Sequence, residues 1–399
     1  MPSNLKDKAL QEICRNEKAL VALSHTIHSQ PEIAFQEKKT AELLCSFLEE
    51  RKFEVVRGWG GLETAFYAEV RGRAERPKVA ILAEYDALKC IGHGCGHNII
   101  ATCAVGAFLG VSSVSEELDG SVCIMGTPAE EGGGGKVIML ENGAFDSVDF
   151  ALMIHPTSGK ALTGRGGRAA VSMSVAFHGR SAHSSNPSKG TNALSALLAL
   201  FSGIDMLRSS MPTGANVNGI ITHGGVAANV IPDYSRGEFS VRAHTLKDLR
   251  GIVELIRQCV DSAEKLTGAR SEVSLGRFYG ERYPNKPICE AFKANMEILG
   301  EEMFYPDAGM QYGSSDIGNV SIKLPAIHEY LSIAPSHVNA HSAEFAAAAV
   351  SARADKVCVL GAQGLAMTAI DVLTDSNLRR EALESHQKQV PDIYQHELP

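Results

Sequence analysis

Val79-Ala80-Ile81-Leu82-Ala83-Glu84-Tyr85-Asp86, followed within six residues by Gly92-His93-Gly94-Cys95-Gly96-His97-Asn98, passes from an unbroken apolar run to carboxylates and then to a glycine-rich loop. An apolar run this short that ends abruptly in charge reads as a strand buried on both faces, of the kind found in parallel sheets. The same pattern recurs from Ala65 to Val70, from Ser121 to Met125 and from Phe150 to Ile154. Helical stretches after Asn98 and after Gly135 separate the later runs, which gives the strand and helix alternation of an α/β domain. In such sheets ligands collect at the carboxyl ends of the strands. The polar clusters stand there: Ala83-Glu84-Tyr85-Asp86, Thr127-Pro128-Ala129-Glu130-Glu131 and His155-Pro156.

Upstream, apolar positions from Leu5 to Glu50 recur every three or four residues, predicting two helices broken at Ser29-Gln30-Pro31. Downstream, Gly164-Arg165-Gly166-Gly167 precedes a change of pattern. Strand Ala170 to His178, helix Asn192 to Ser209, strands Ala215 to His223 and Tyr234 to His244, helix Leu246 to Leu266 and strand Ser271 to Leu275 form a βαββαβ unit. After Tyr283-Pro284-Asn285-Lys286-Pro287 the chain is expected to rejoin the first domain and to end in an Ala-rich helix from about Ala343 to Leu373. The expected architecture is therefore α/β, a central mixed sheet flanked by helices in residues 1–167 and 283–399, with an inserted α+β, ferredoxin-like domain in residues 168–282.

With 399 residues the chain is too long for one ordinary core, which agrees with two domains. Its 38 basic and 46 acidic residues, net charge −8 and lack of a Lys/Arg-rich run argue against nucleic-acid or membrane-surface partners and for a small-molecule substrate. The nine scattered cysteines predict reduced core thiols. No secretory signal pattern is read at the N-terminus and no window is read as approaching the roughly 20 apolar residues of a membrane span, so a cytoplasmic protein is expected.

Cys95 and His97 lie one residue apart in a loop stripped of side chains by glycine, and a thiolate with a neutral imidazole suits a zinc-like ion. A tight turn holding a buried cysteine, or a cysteine nucleophile activated by a histidine, satisfies the same residues. Glu130-Glu131 would place one carboxylate on a cation and leave the other as a general base; two acids favoured at a helix start are the plainer reading. Gly135-Lys136 makes no phosphate loop, because Glu130 stands where its first glycine belongs and Val137 replaces the Ser/Thr. His155, at the end of an apolar strand, and His341, ahead of the Ala-rich helix, are each equally served by structural roles.

Taken in order, Glu-Tyr-Asp-Ala-Leu, Cys-Gly-His, Glu-Glu-Gly, His-Pro and His-Ser-x-x-Phe resemble the cocatalytic metallopeptidases that include aminoacylases, carboxypeptidase G and plant indole-acetyl-amino-acid hydrolases. Ala83 to Leu88, Gly92 to Asn98 and Gly313-Ser314-Ser315-Asp316-Ile317-Gly318-Asn319-Val320 are similar to the branch of p-aminobenzoyl-glutamate hydrolase subunits and β-alanyl-lysine dipeptidases. The resemblance covers essentially the whole chain. It implies a zinc-peptidase-like catalytic domain and two divalent ions, zinc or manganese, shared by Cys95 and completed by His97, Glu131, His155 and His341. It further implies Glu130 as general base, Asp86 as the carboxylate that orients an imidazole ligand, and His183 as a donor to the developing oxyanion. Asn229 and Arg242 would grip the substrate carboxylate, and the inserted domain would serve as lid and homodimer contact. The implied reaction is hydrolysis of the amide bond of an N-acyl amino acid or dipeptide. A metal-binding scaffold without catalysis and a cysteine-nucleophile amidase are the competing readings. Lys89, where many relatives carry proline, and Asn98, where aspartate is common, depart from the wider pattern.

Overall fold

In the computed structural model, which describes residues 2–310 and 312–394, the apolar runs form strands covered on both faces. After helices α1 (Pro2–Ser29) and α2 (Lys38–Glu49) come strands β1 (Val55–Arg57), β2 (Phe66–Arg71) and β3 (Lys78–Ala83), helix α3 (His97–Ser112), strand β4 (Ser121–Gly126), helix α4 (Gly135–Glu141) and strand β5 (Phe150–Ser158). Successive residues of a strand face opposite sides. Val79, Ile81 and Ala83 accordingly pack into one apolar cluster with α1 and α3, while Ala80 and Leu82 join a second cluster with Met139 and Val320.

The inserted segment contributes β6 (Ala169–His178), β7 (Ala182–His183), α5 (Ala193–Leu207), β8 (Asn216–His223), β9 (Val230–Ile231), β10 (Tyr234–Ala243), α6 (Leu246–Thr267) and β11 (Arg270–Leu275). Its four-stranded sheet has the order β11-β6-β10-β8 with every pair antiparallel. Side-chain caps start both helices: Asn192 accepts from Ser195 and Thr245 from Asp248, and Gly268, in a left-handed conformation, ends the second.

The returning chain adds α7 (Lys286–Ile298), α8 (Ile317–Lys323), β12 (Ala326–Ala334), α9 (Ala343–Ala348), α10 (Ala352–Thr374) and α11 (Ser376–Gln389). The sheet of the first unit has the order β1-β2-β4-β3-β5-β12, parallel from β4 to β12 and antiparallel at β1 and β2. The chain divides into two compact units after Gly166 and after Glu281.

One strand is added to the expectations and two of them are corrected. Strand β12 was not foreseen, because His328 and Glu329 interrupt its apolar run. The Ala-rich helix is two helices, since Ser351 turns its hydroxyl to the amide of Ala354 and starts α10 afresh. Two helices, Ala193–Ser210 and Ala352–Thr374, are long and apolar enough to cross a membrane. The second is 78% buried, as a central core helix is, because its Ala and Gly surface lets it pack closely on α3. None of the nine cysteines is in a disulfide, and Cys45, Cys95, Cys103, Cys123, Cys289 and Cys358 are buried.

Candidate metal centre

In the first unit, the segments that follow β3 and β4, the end of β5 and the residue ahead of α9 bring Cys95, His97, Glu130, Glu131, His155 and His341 together. Cys95 with His97 and His155 makes one group, Cys95 with Glu131 and His341 a second, and His97 with Glu130 and Glu131 a third; within each, the potential ligand atoms lie within 4.8 Å of one another. Cys95, His97 and Glu131 each belong to two of the groups.

Backbone geometry makes this convergence possible. Gly96 precedes α3 with φ of 73°, and a Cβ there would meet Pro156 at 2.9 Å, so only glycine lets the loop curl under His155. Gly135 passes so near the Pro128 carbonyl that a Cβ would lie 1.8 Å from its oxygen. His341 adopts φ of 62°, unusual for a residue with a side chain, and its N–H donates to the Gly94 carbonyl at 2.9 Å, which ties the two loops.

Two ring tautomers follow from hydrogen bonds. His97 Nδ1 donates to Asp86 Oδ1 at 3.0 Å, while Asp86 Oδ2 accepts from the Glu131 amide at 2.9 Å. His155 Nδ1 donates to the Pro156 carbonyl at 2.6 Å. Each ring therefore turns the Nε2 lone pair toward the other ligands. Buried His97 Nε2 and Glu131 Oε1 have no hydrogen-bond partner; the former lies 3.5 Å from Glu84 Oε2 and 3.7 Å from Glu131 Oε1. A lone pair and carboxylate oxygens aimed at one another in a buried space are what a divalent cation satisfies, so the residues fit such an ion.

Burial, with Glu84, Glu131 and Asp316 nearby, drives the Glu130 carboxyl well above its ordinary range. Burial likewise pushes the Cys95 thiol up. Burial also opposes ionisation of Asp86, but the His97 and Glu131 hydrogen bonds outweigh it and hold this carboxyl below the usual range. His155 is held well below ordinary histidine by burial and stays neutral.

Sequence reasoning missed a buried charge cluster behind the centre. Lys136 Nζ lies 2.5 Å from Glu84 Oε1 and 2.7 Å from Asp316 Oδ1, and the Lys136 amide donates to Asp316 Oδ2 at 2.9 Å. This gives the Gly313–Val320 segment a part: it delivers Asp316 to the glycine loop after Glu131. A Glu two residues before Asp86 and a lysine in a glycine run were the available signals.

The remaining candidates sit in the second unit. His183 is exposed on β7, with Nδ1 2.8 Å from the Ser185 hydroxyl. The loop carrying Asn229 leaves β8, where His223 stands opposite Arg236, and rejoins the sheet at Tyr234, whereas Arg242 stands opposite Ala170 near the other end of β10. At about 3.3 Å per residue the eight steps from Tyr234 to Arg242 span roughly 26 Å. Asn229 thus lies off one end of β10 and Arg242 near the other.

Residues 165–267 match the peptidase dimerisation domain model. Over 385 residues the chain is 36% identical to the Xaa-Arg dipeptidase of Mus musculus, covering 92% of this chain and 89% of that protein. It is 27% identical to a p-aminobenzoyl-glutamate hydrolase subunit of Escherichia coli (strain K12), covering 94% and 93%. Among solved structures, an aminobenzoyl-glutamate utilization protein from Klebsiella pneumoniae superposes with TM-score 0.74 at 16% identity over 91% of this chain and 98% of that one. A Bacillus subtilis protein described as a dinuclear metal binding peptidase from the M20 family gives 0.66 at 21% identity over 90% and 98%. Identity of this extent along almost the whole of both chains places the protein in the M20 peptidase family, as a hydrolase.

Proposed function

We propose that the protein hydrolyses the amide bond of an N-acyl amino acid or dipeptide that carries a free carboxylate. The observation that carries this reading is the adjacency of buried Glu130 and half-buried Glu131 within reach of His97, beside a cysteine common to two ligand groups. Cys95, His97, Glu131, His155 and His341 would hold two divalent ions, zinc or manganese. When bound, the pair supplies Lewis-acid polarisation of the scissile carbonyl and compensates the crowded negative charge. The names of the mouse dipeptidase and the Escherichia coli hydrolase support an amide next to an amino acid as the bond cut.

Glu130 acts as the general base. It takes a proton from the attacking water and returns it to the leaving amine, a task suited to a carboxyl whose burial raises its affinity for protons above the ordinary carboxylate range. Asp86 fixes the His97 ring and the Glu131 backbone at once. Lys136 offsets the charge of Glu84 and Asp316. His183 donates to the developing oxyanion, and Asn229 and Arg242 contact the substrate carboxylate. Edge strand β8 exposes Ile220 and Ile221, which supports a homodimer built on the inserted domain. A cytoplasmic location suits free thiols throughout.

Replacing Glu130 with Gln tests the reading. The expected result is a fall in kcat of at least about 100-fold with unchanged metal stoichiometry. Near-normal turnover of a panel of N-acyl amino acids and dipeptides by E130Q would remove Glu130 from its role.

A further inference from the structure

Beside His155, two arginines and a histidine each keep one buried donor nitrogen without a hydrogen-bond acceptor among the described residues. Arg282 is only 7% exposed, and its Nη1 donates to the Tyr330 hydroxyl at 2.8 Å. That hydroxyl lies 3.4 Å from His328 Nδ1. A phenol that accepts from a guanidinium passes its own hydrogen onward, so Nδ1 of His328 accepts and its ring hydrogen sits on Nε2. The guanidinium of Arg165 stacks 4.3 Å above the Tyr330 ring. Arg282 Nε, Arg165 Nε and His328 Nε2 are all buried without a hydrogen-bond partner. Neither arginine forms an ion pair with a described carboxylate.

An uncompensated buried guanidinium is strongly disfavoured. The buried acid Glu329 feels the charge of Arg282 but makes no ion pair with it, because alternation along β12 turns Glu329 to the other face, where its Oε1 accepts from the Gly164 amide at 3.4 Å. Three donors and no acceptor call for a ligand made only of acceptors, and paired guanidiniums match a planar carboxylate. The Tyr330 and His328 rings stand 5.4 and 5.3 Å from the ring of His155, so an anion here lies about one side chain away from the candidate metal centre.

The geometry points to a carboxylate-binding subsite in the first unit, formed by Arg165, Arg282 and His328 around Tyr330, that receives a carboxylate of the substrate. Naming the ligand a substrate rests on the amide-hydrolysis reading; the subsite itself does not. The carboxylate comes either from the α-position beside the scissile amide or from an acidic group farther out.

Calorimetric titration of the full-length, zinc-loaded protein with N-acetylglycine, glutarate and inorganic phosphate tests this. Wild type should bind a carboxylate probe, and R165Q and R282Q should each weaken that binding at least about 10-fold, the loss of a charge-assisted hydrogen bond, with metal stoichiometry unchanged. Equal weakening for both carboxylates identifies the α-carboxylate; weakening for glutarate alone identifies a farther one; either supports the subsite. Binding by both variants as tight as wild type, or binding of phosphate without either carboxylate, overturns it. Should R282Q fail to fold by circular dichroism, half-buried Arg165 carries the test alone. Heats of binding need no turnover, so loss of the hydrolytic reading leaves this result interpretable.

Discussion

Replacing Asp86 with Asn changes one oxygen to an amino group at a position where both oxygens accept. If the amide keeps its oxygen on His97 Nδ1, its NH₂ faces the Glu131 N–H that Asp86 Oδ2 now satisfies at 2.9 Å, and two buried donors oppose each other. If it turns round, NH₂ meets His97 Nδ1, forcing the lone pair onto that atom and the ring hydrogen onto Nε2, the nitrogen facing Glu131 at 3.7 Å. One orientation misplaces Glu131 and the other disables His97 as a ligand. Either loses one charge-assisted hydrogen bond, about 1.5–3 kcal/mol. That range corresponds to a roughly 10–100-fold loss of metal affinity, the size usual for removing a carboxylate behind a ligating histidine. Competition of D86N and wild type against a chromophoric chelator measures it directly, and hydrolysis by D86N should recover as zinc or manganese is raised. Zinc affinity of D86N within twofold of wild type would refute both the tautomer assignment and the place of His97 among the ligands.

Lys136→Met leaves the buried carboxylates of Glu84 and Asp316 without their cation, so the variant should lose about 3–5 kcal/mol of stability in denaturant titration; an unchanged midpoint would mean that both acids are already neutral. Burial raises Glu329 from 4.5 to about 7, so the native state holds a proton that the unfolded chain has released; this stabilisation is complete below about pH 4.5 and is lost as pH rises through 7. Glu329→Gln should remove up to about 3 kcal/mol of that decline, and identical stability profiles for the two proteins between pH 4.5 and 7 would contradict the assignment. Exhaustive chelation should abolish hydrolysis and zinc or manganese should restore it; activity that survives would favour the Cys95 thiol, although burial already holds that thiol in its protonated form.

Strand and helix alternation was legible because each element obeys a local rule. Runs such as Val79 to Ala83 are apolar throughout since both faces of the sheet are covered, and the inserted βαββαβ unit keeps clean periods with capped helices. β12 was illegible for the opposite reason. Its middle residues, His328 and Glu329, are polar and buried, and what compensates Glu329 comes from Thr163, Gly164 and Cys289, which no local window contains.

The sequence by itself determined the fold class and supplied the chemistry of the site, a thiol and an imidazole between glycines, paired acids after a strand, and histidines at a strand end and ahead of a helix. Tertiary structure alone decided which of these face one another: His341 reaches the loop of Cys95 through its hydrogen bond to Gly94, and Lys136 finds Asp316 180 residues away. It also separated Asn229 from Arg242, and left Arg165 and Arg282 unpaired beside His155. Hydrophobic periodicity encodes where elements form, whereas convergence of polar side chains depends on strand order and loop closure, which periodicity does not carry.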